Sequence, residues 1–463
     1  MRLGDYPARW LVIGLIAALF IGAKMRLVWP GDLEYKSDES YMVERVQKAG
    51  RSEPWPALGM VSGASLARLR NPGMSVWVYL LPARLLHAED PLAMARITEW
   101  SSIAALLIWT GFALFCVNPV DREAWLWAVA LIAVNPLQVE LDRKIWAQCM
   151  FPLLDCALLI GWWYRREGWG AFLWGLTGAW AGQVHLSGFF FAAGLFLWTA
   201  LFERRLTAPE AATYPGLRPA TSKWPAWFAG SALGAVTLYP WIRYLLSLHL
   251  AGATPEHPHG FPYRFWQLWV LDSLGLHMQT SLTTASFLFL RFPTIAGRPT
   301  YLVLLLHAAV AAVALVIFGR AGLSMLRDKR SWIDRLLGRT SQSAFLVSAS
   351  MWGFGFLMTV CYVWIHSHYL IIALPFAFVW LARSALLSGN QPAEEKARVR
   401  SLTRSRQLLA AVCGLELLLS VAFLCFIHVN GGVPGSDYGI ALRNIGTKSV
   451  QGAGASTSPG NPI

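Results

Sequence analysis

Residues 10–53, WLVIGLIAALFIGAKMRLVWPGDLEYKSDESYMVERVQKAGRSE, decide the fold, because an apolar run of membrane length passes without a linker into a polar segment. Trp10 to Trp29 is about the 20 residues that an α-helix needs to cross a hydrocarbon core. The run carries Lys24 and Arg26 near its far end, and the polar segment holds an adjacent acid pair, Asp38-Glu39. Two cations and two carboxylates therefore gather at one membrane face. Ionisable groups held beside a bilayer in so apolar a chain are a functional expectation by default. The set suits a phosphorylated lipid substrate: a cation can hold a phosphate leaving group, and a carboxylate can take a proton from an attacking hydroxyl or amine. A polar loop flanked by anchoring cations would carry the same charges.

The remaining composition fits that beginning. Of 463 residues, 56% are hydrophobic and 14% charged, with 24 Trp, whereas a soluble domain is about 25% charged. Apolar runs of roughly 17 to 25 residues recur between short polar links, so the fold class expected is an all-α polytopic membrane protein. The net charge of +13 needs no nucleic acid, since the basic residues collect between apolar runs, as the positive-inside bias demands. Six cysteines (Cys116, Cys149, Cys156, Cys361, Cys413, Cys425) lie in or beside apolar runs without CxxC spacing. They read as small buried hydrophobes, not as a disulfide or metal framework. Arg2 and Arg9 precede the first run, and no small-residue cleavage site follows it, so the start reads as an uncleaved signal anchor with a cytoplasmic N-terminus.

Charge then sets a topology. Residues 320–339 hold six Arg/Lys against two Asp, and residues 394–406 hold five against two Glu, which places both loops in the cytoplasm. Counting from them gives eleven spans, near 10–29, 95–117, 123–140, 148–164, 169–184, 186–202, 224–246, 300–319, 344–365, 369–387 and 407–428. Parity forbids 73–87 from crossing. With Pro82, Arg84 and only about three-quarters of a span, it is expected as an interfacial helix. Amphipathic stretches 33–50 and 265–290 would also lie along the external surface. Residues 1–429 then form one transmembrane domain with external loops 31–94 and 247–299. Residues 430–463, Gly/Ser-rich towards the end, read as a disordered external tail.

This topology enriches the external face in titratable and hydrogen-bonding groups: Asp38-Glu39, LDRKIWAQ (141–148), QVHLSG (183–188), the set His257, His259, Asp272, His277 and Gln279, and IHSHY (365–369). Asp142, Arg143 and Lys144 set a carboxylate beside two cations that could contact phosphate oxygens, or that could snorkel as anchors. His185 lies where two spans meet and can donate to phosphate or sugar, or sit satisfied in the core. His366 and His368 do not share a helical face, so a divalent metal is not supported, and no metal or other cofactor is expected. A Gly-rich phosphate loop with Lys-Ser/Thr, GxSxG, HExxH and paired broken half-helices are all missing from the sequence.

From SDESYMVERV onward the chain resembles the GT-C superfamily of polyprenyl-phosphate-sugar glycosyltransferases, in its protein O-mannosyltransferase and aminoarabinose transferase branch. The matching stretches are Arg26 late in the first span, Asp38-Glu39, NPGMSVWVYLLPARL (71–85), ARITEWSSIAALL (95–107), LDRKIWAQCMFPL (141–153), GQVHLSGFFF (182–191) and HSHYLIIALPF (366–376). Together they cover about residues 10–390. The resemblance implies a GT-C-like bundle of about eleven transmembrane helices with external juxtamembrane helices. It implies Asp38 as catalytic base, Glu39 in support, and Arg26, Arg143 and Lys144 as candidates for the lipid phosphate. Lys24, Asp142, His185, His368 and Tyr369 complete the expected substrate-binding set. The implied activity is transfer of a sugar from a polyprenyl-phosphate donor to a lipid, glycan or protein acceptor, through a hydroxyl or amine, on the extracytoplasmic side of the cell membrane. The alternative is a flippase for lipid-linked saccharide that breaks no bond. Asn71-Pro72-Gly73 stands where the aminoarabinose enzymes carry a KPP-type signature, and the folded extramembrane domain of several relatives is missing. Both departures leave sugar and acceptor open.

Overall fold

The computed structural model describes residues 9–61, 69–203, 222–248, 263–278, 282–327, 332–361, 365–387, 395–433, 436 and 438–445. Its helices begin with α1 (Arg9–Leu27), α2 (Ser37–Lys48), α3 (Met74–Leu86), α4 (Pro91–Phe115), α5 (Pro119–Val134), α6 (Pro136–Leu141), α7 (Phe151–Trp163), α8 (Gly168–Val184) and α9 (Ser187–Phe202). They continue with α10 (Trp224–Ala235), α11 (Tyr239–Ser247), α12 (Arg264–Ser273), α13 (Ser286–Leu290), α14 (Leu302–Arg327), α15 (Trp332–Leu336), α16 (Gln342–Ser348), α17 (Phe354–Val360), α18 (Leu374–Leu387) and α19 (Glu395–Asn430). Three short antiparallel pairs decorate the bundle: β1 (Leu58–Val61) with β2 (Arg70–Pro72), β3 (Thr294–Ile295) with β4 (Arg298–Pro299), and β5 (Gly432–Val433) with β6 (Gly439–Ile440).

The protein is a mostly helical, multi-pass membrane protein. Among the described residues, five helices are long and apolar enough to cross a membrane: Arg9–Leu27, Pro91–Phe115, Leu302–Leu326, Gln342–Val360 and Val399–Asn430. The other predicted intervals fall on shorter apolar helices, among them Ala147–Trp163, Ser187–Phe202 and Leu374–Leu386. Local chemistry fixes several starts. Asp90, Asn118 and Asn135 each cap a helix whose first residue is proline, where the missing N–H costs nothing. Residues 395–406 of the basic segment expected as a loop instead form the first turns of α19, anchored where the Arg406 guanidinium grips Glu123 at 2.7 and 2.8 Å.

The predicted 123–140 span is interrupted, and the interruption organises the bundle. Pro136 has no N–H to return to Ile132, and Asn135 turns the chain, so the carbonyls at the end of α5 lose their helical partners. In an apolar interior each must find another donor. Arg26 supplies two of them, donating to Ala133 at 2.7 Å and Ile132 at 3.2 Å, while the Ser420 hydroxyl reaches Val134 at 2.5 Å. This requires α1 to lie against α5. Gly22 allows it: a Cβ there would stand 2.4 Å from the Ala133 oxygen.

At the end of the bundle reached by Arg26, α2 and α3 lie side by side. Arg70, before α3, donates to Tyr41 on α2, while Arg84 and Glu89, at its far end, bond Val46, Ala49 and Arg51. Both ends of a 13-residue helix, about 20 Å long, are thus held to one short helix and its exit turn. Such an element lies along α2.

The tail differs from expectation. Instead of disorder from residue 430, the described part of residues 431–445 folds back over residues 31–34, with the Leu442 and Arg443 amides donating to the Leu33 and Gly31 carbonyls at 3.0 Å. Gly431, Gly432 and Gly439, all at positive φ, make the turn, and Val433, Tyr438 and Ala441 are buried. The Gly/Ser-rich composition lies beyond, outside the described residues.

Candidate active site

Lys36, Ser37 and Asp38 open α2. Acids in a first turn face the positive end of the helix dipole, which helps to start the helix there. Asp38 is half-buried and touched by the Ser37 hydroxyl at 3.2 Å. Glu39 turns inward and is fully buried; one carboxylate oxygen accepts from the Lys36 amide at 3.1 Å, and the other has no hydrogen-bond partner. Burial, then the Glu34 charge, push the Glu39 carboxyl up to about 7. The acid pair is therefore split by environment: Asp38 meets solvent and Glu39 faces a charged interior.

That interior centres on Lys144. Its ammonium contacts Glu34 at 2.6 Å and Glu140 at 3.0 Å, and lies 4.3 Å from the centre of the Trp146 ring. Burial opposes its charge, but Glu34, Glu140 and Glu39 outweigh burial and hold it above the usual lysine range. Lys144 is thus committed to carboxylates inside the fold. Tyr79 fixes the loop by donating to the Lys144 and Trp146 carbonyls at 3.1 and 3.2 Å.

Arg143 points elsewhere. It donates to the carbonyls of Met25 and Trp29, both at 3.0 Å, so it closes the end of α1. It also lines a small cavity with Trp29, Glu34, Glu140, Lys144 and Tyr438, floored by Phe423, Leu424 and Ile427 of α19. Glu99, Asp32 and Tyr438 lie near enough to offset part of the burial penalty that lowers its pKa.

Three residues of the expected substrate-binding set, Arg26, Asp142 and Lys24, make their contacts within the chain. All five N–H groups of Arg26 are used, on Gly22, Ile132, Ala133, Ser102 and Asp142, the last at 2.7 Å. Asp142 is consumed by Arg26 and by Gln138 at 2.8 Å. Lys24, two residues before Arg26 and so on another face of α1, is exposed and sits over Phe20 at 5.7 Å.

The histidines gather on the other side of Trp146. His368 packs edge-on to Trp146 at 5.3 Å and to His185 at 5.9 Å, stacks with His366 at 5.4 Å, and meets Tyr369 at 4.7 Å. His185 Nδ1 accepts from the Ser187 amide at 3.3 Å and is hydrogen-bonded to the Ser187 hydroxyl at 2.8 Å. Burial draws His185 down to about 4. Burial, then His185, His366 and Lys144, hold His368 well below the usual histidine range. Burial thus disfavours the charged form of both rings and favours hydrogen bonding by the neutral imidazole. Below them Ser367 bridges His277 at 2.7 Å and Asp272 at 3.1 Å, and Asn135 donates to the Asp272 carbonyl at 3.1 Å, which seats the 365–369 loop on the bundle. His257, His259 and Gln279 lie outside the described residues. No group of three or more potential ligands arranged to hold a metal occurs among the described residues.

Sequence reasoning missed Glu34, Glu140, Asp32, Tyr438 and His428. Glu140 was legible as an i,i+4 partner of Lys144. Glu34, 110 positions from Lys144, gave no local signal.

No protein-family model matches the chain, and no curated protein matches it. Among solved structures it is similar to the apo oligosaccharyltransferase of Archaeoglobus fulgidus, with 14% identity and a TM-score of 0.47 over 90% of this chain and 56% of that one. The oligosaccharyltransferase AglB from the same organism, in complex with an inhibitory peptide and a dolichol-phosphate, gives 14% identity and a TM-score of 0.46 over 90% and 56%. ArnT from Cupriavidus metallidurans, bound to undecaprenyl phosphate, gives 14% and 0.45 over 91% and 77%. The chain thus spans little more than half the length of the oligosaccharyltransferases.

Proposed function

We propose that the chain is a multi-pass glycosyltransferase of about eleven spans, set in the cell membrane with its site on the extracytoplasmic side. It moves a sugar from a polyprenyl-phosphate donor to a hydroxyl or amine of a lipid, glycan or protein acceptor. The observation that carries this reading is the division of labour at one end of the bundle. A half-buried carboxylate, Asp38, stands beside a buried charged cluster, an arginine lines a cavity there, and neutral histidines flank the same loop.

In the proposed reaction a lone pair of the acceptor oxygen or nitrogen attacks the anomeric carbon as the bond from that carbon to the phosphate oxygen breaks. The bonding electrons leave with the polyprenyl phosphate, and the acceptor proton passes to Asp38. Glu39 orients the acceptor, and Arg143 takes the phosphate role first shared among Arg26, Arg143 and Lys144. His185, His368 and Tyr369 suit sugar hydroxyls, which neutral imidazoles can bond in either direction. The reaction as drawn needs no metal.

Purified protein given radiolabelled polyprenyl-phosphate sugars and candidate acceptors decides the matter. Labelled acceptor and free polyprenyl phosphate appearing in equal amounts support transfer. Intact donor crossing a vesicle membrane without release of polyprenyl phosphate supports the flippase reading instead.

A further inference from the structure

Residues 31–34 join α1 to the strand-like stretch that presents Glu34, four residues ahead of Asp38. They are short and polar, and alone would not hold a carboxylate against Lys144. The end of the chain holds them. Ala441 pairs with Glu34 in antiparallel fashion, and Arg443 and Leu442 donate to Gly31 and Leu33. Side chains repeat the grip: Arg443 Nε lies 2.9 Å from Asp32, His428 Nδ1 lies 2.7 Å from its other oxygen, and the Tyr438 hydroxyl donates to the Asp32 carbonyl. His428 also stacks on Trp29 with ring centres 4.0 Å apart, and the Arg443 guanidinium bonds the His428 carbonyl at 2.5 Å.

Apart from the Arg443–His428 bond within the tail itself, these contacts fall on residues 29–34, and Tyr438 also walls the cavity that Arg143, Glu34 and Lys144 line. Backbone pairing on one side and a doubly contacted buried carboxylate, Asp32, on the other fix both the height and the rotation of the loop. We propose that His428, Tyr438 and residues 441–443 form a clasp that positions the Glu34–Glu39 segment for the reaction, with Arg443 and Tyr438 as its positioning residues. The proposal rests on the transferase reading for its activity readout, and carries a second readout that does not.

The test is a reversible staple. A Cβ on Gly31 would lie 3.0 Å from the Arg443 Cβ, close to the 3.5–4.5 Å or so that a disulfide spans. In full-length protein lacking the native cysteines, Gly31→Cys with Arg443→Cys breaks the clasp when reduced and replaces it covalently when oxidised. Expected is a turnover loss of about 10²-fold in the reduced form, the scale of a small misplacement, with donor KM little changed and most turnover restored on oxidation. Equal turnover in the two forms overturns the proposal. In Arg443→Ala, amide exchange across residues 33–39 should quicken, and Arg443→Lys should restore it only in part, because an ammonium cannot reproduce the forked contact. Unchanged exchange overturns the clasp even if the wild type transfers no sugar, the outcome that would instead overturn the transferase reading.

Discussion

Lys144 and Arg143 are neighbours with opposite duties, and substitution separates them. Lys144→Met leaves Glu34, Glu39 and Glu140 buried without their ammonium, a change of the kind that costs about 3–5 kcal/mol, so the melting temperature in detergent should drop sharply. Arg143→Gln should lower the melting temperature less than Lys144→Met does, through the Met25 and Trp29 carbonyls it frees, and should raise donor KM; a loss of stability with donor KM unchanged would assign Arg143 to the fold alone. Asp38→Asn should lower transfer by about 10² to 10⁴-fold at unchanged expression, and activity within about threefold of wild type would remove it from the mechanism. Glu39 adds a pH signature. Its carboxyl holds a proton more tightly in the fold, at about 7, than the ordinary 4.5. The stability it contributes is therefore complete below about pH 4.5 and is lost as pH rises through about 7. Glu39→Gln should flatten that fall in a pH series of melting curves. At this scale the sequence revealed the acid pair and the basic pair but not their partners. A charge such as Arg26 looks the same in a string whether it meets phosphate or two broken-helix carbonyls.

At the scale of elements, hydropathy and charge located nearly every helix, because apolar length is a local property. What stayed hidden depends on distant pairing: the break at Asn135-Pro136 looks like a pause within one span until Arg26 and Ser420 are seen to satisfy it. Parity expects α3 not to cross, and the structure ties both of its ends to α2 and the turn after it. Single cysteines at Val61 and His87, in a background without the native six, should both react with a membrane-impermeant maleimide added from one side. Labelling of one and protection of the other would mean that α3 crosses, and would overturn the topology before residue 118.

Across the whole molecule, positive charge at the site comes from the chain itself, with Lys144 set among the carboxylates that would otherwise attract a cation. Transfer should therefore survive dialysis against EDTA with little loss; a loss restored by a divalent ion would show that Lys144 does not suffice. The grip of Arg26 on Ile132 and Ala133, 106 and 107 positions later, also has a consequence for biogenesis. α1 leaves the ribosome long before the carbonyls it serves exist, so a freshly inserted first helix must keep its guanidinium at the lipid headgroups and draw it inward only when α5 arrives. The order of synthesis makes α1 a provisional tenant of the bilayer. A nascent chain halted before α5 should present Arg26 to water-soluble reagents, while the finished protein hides it.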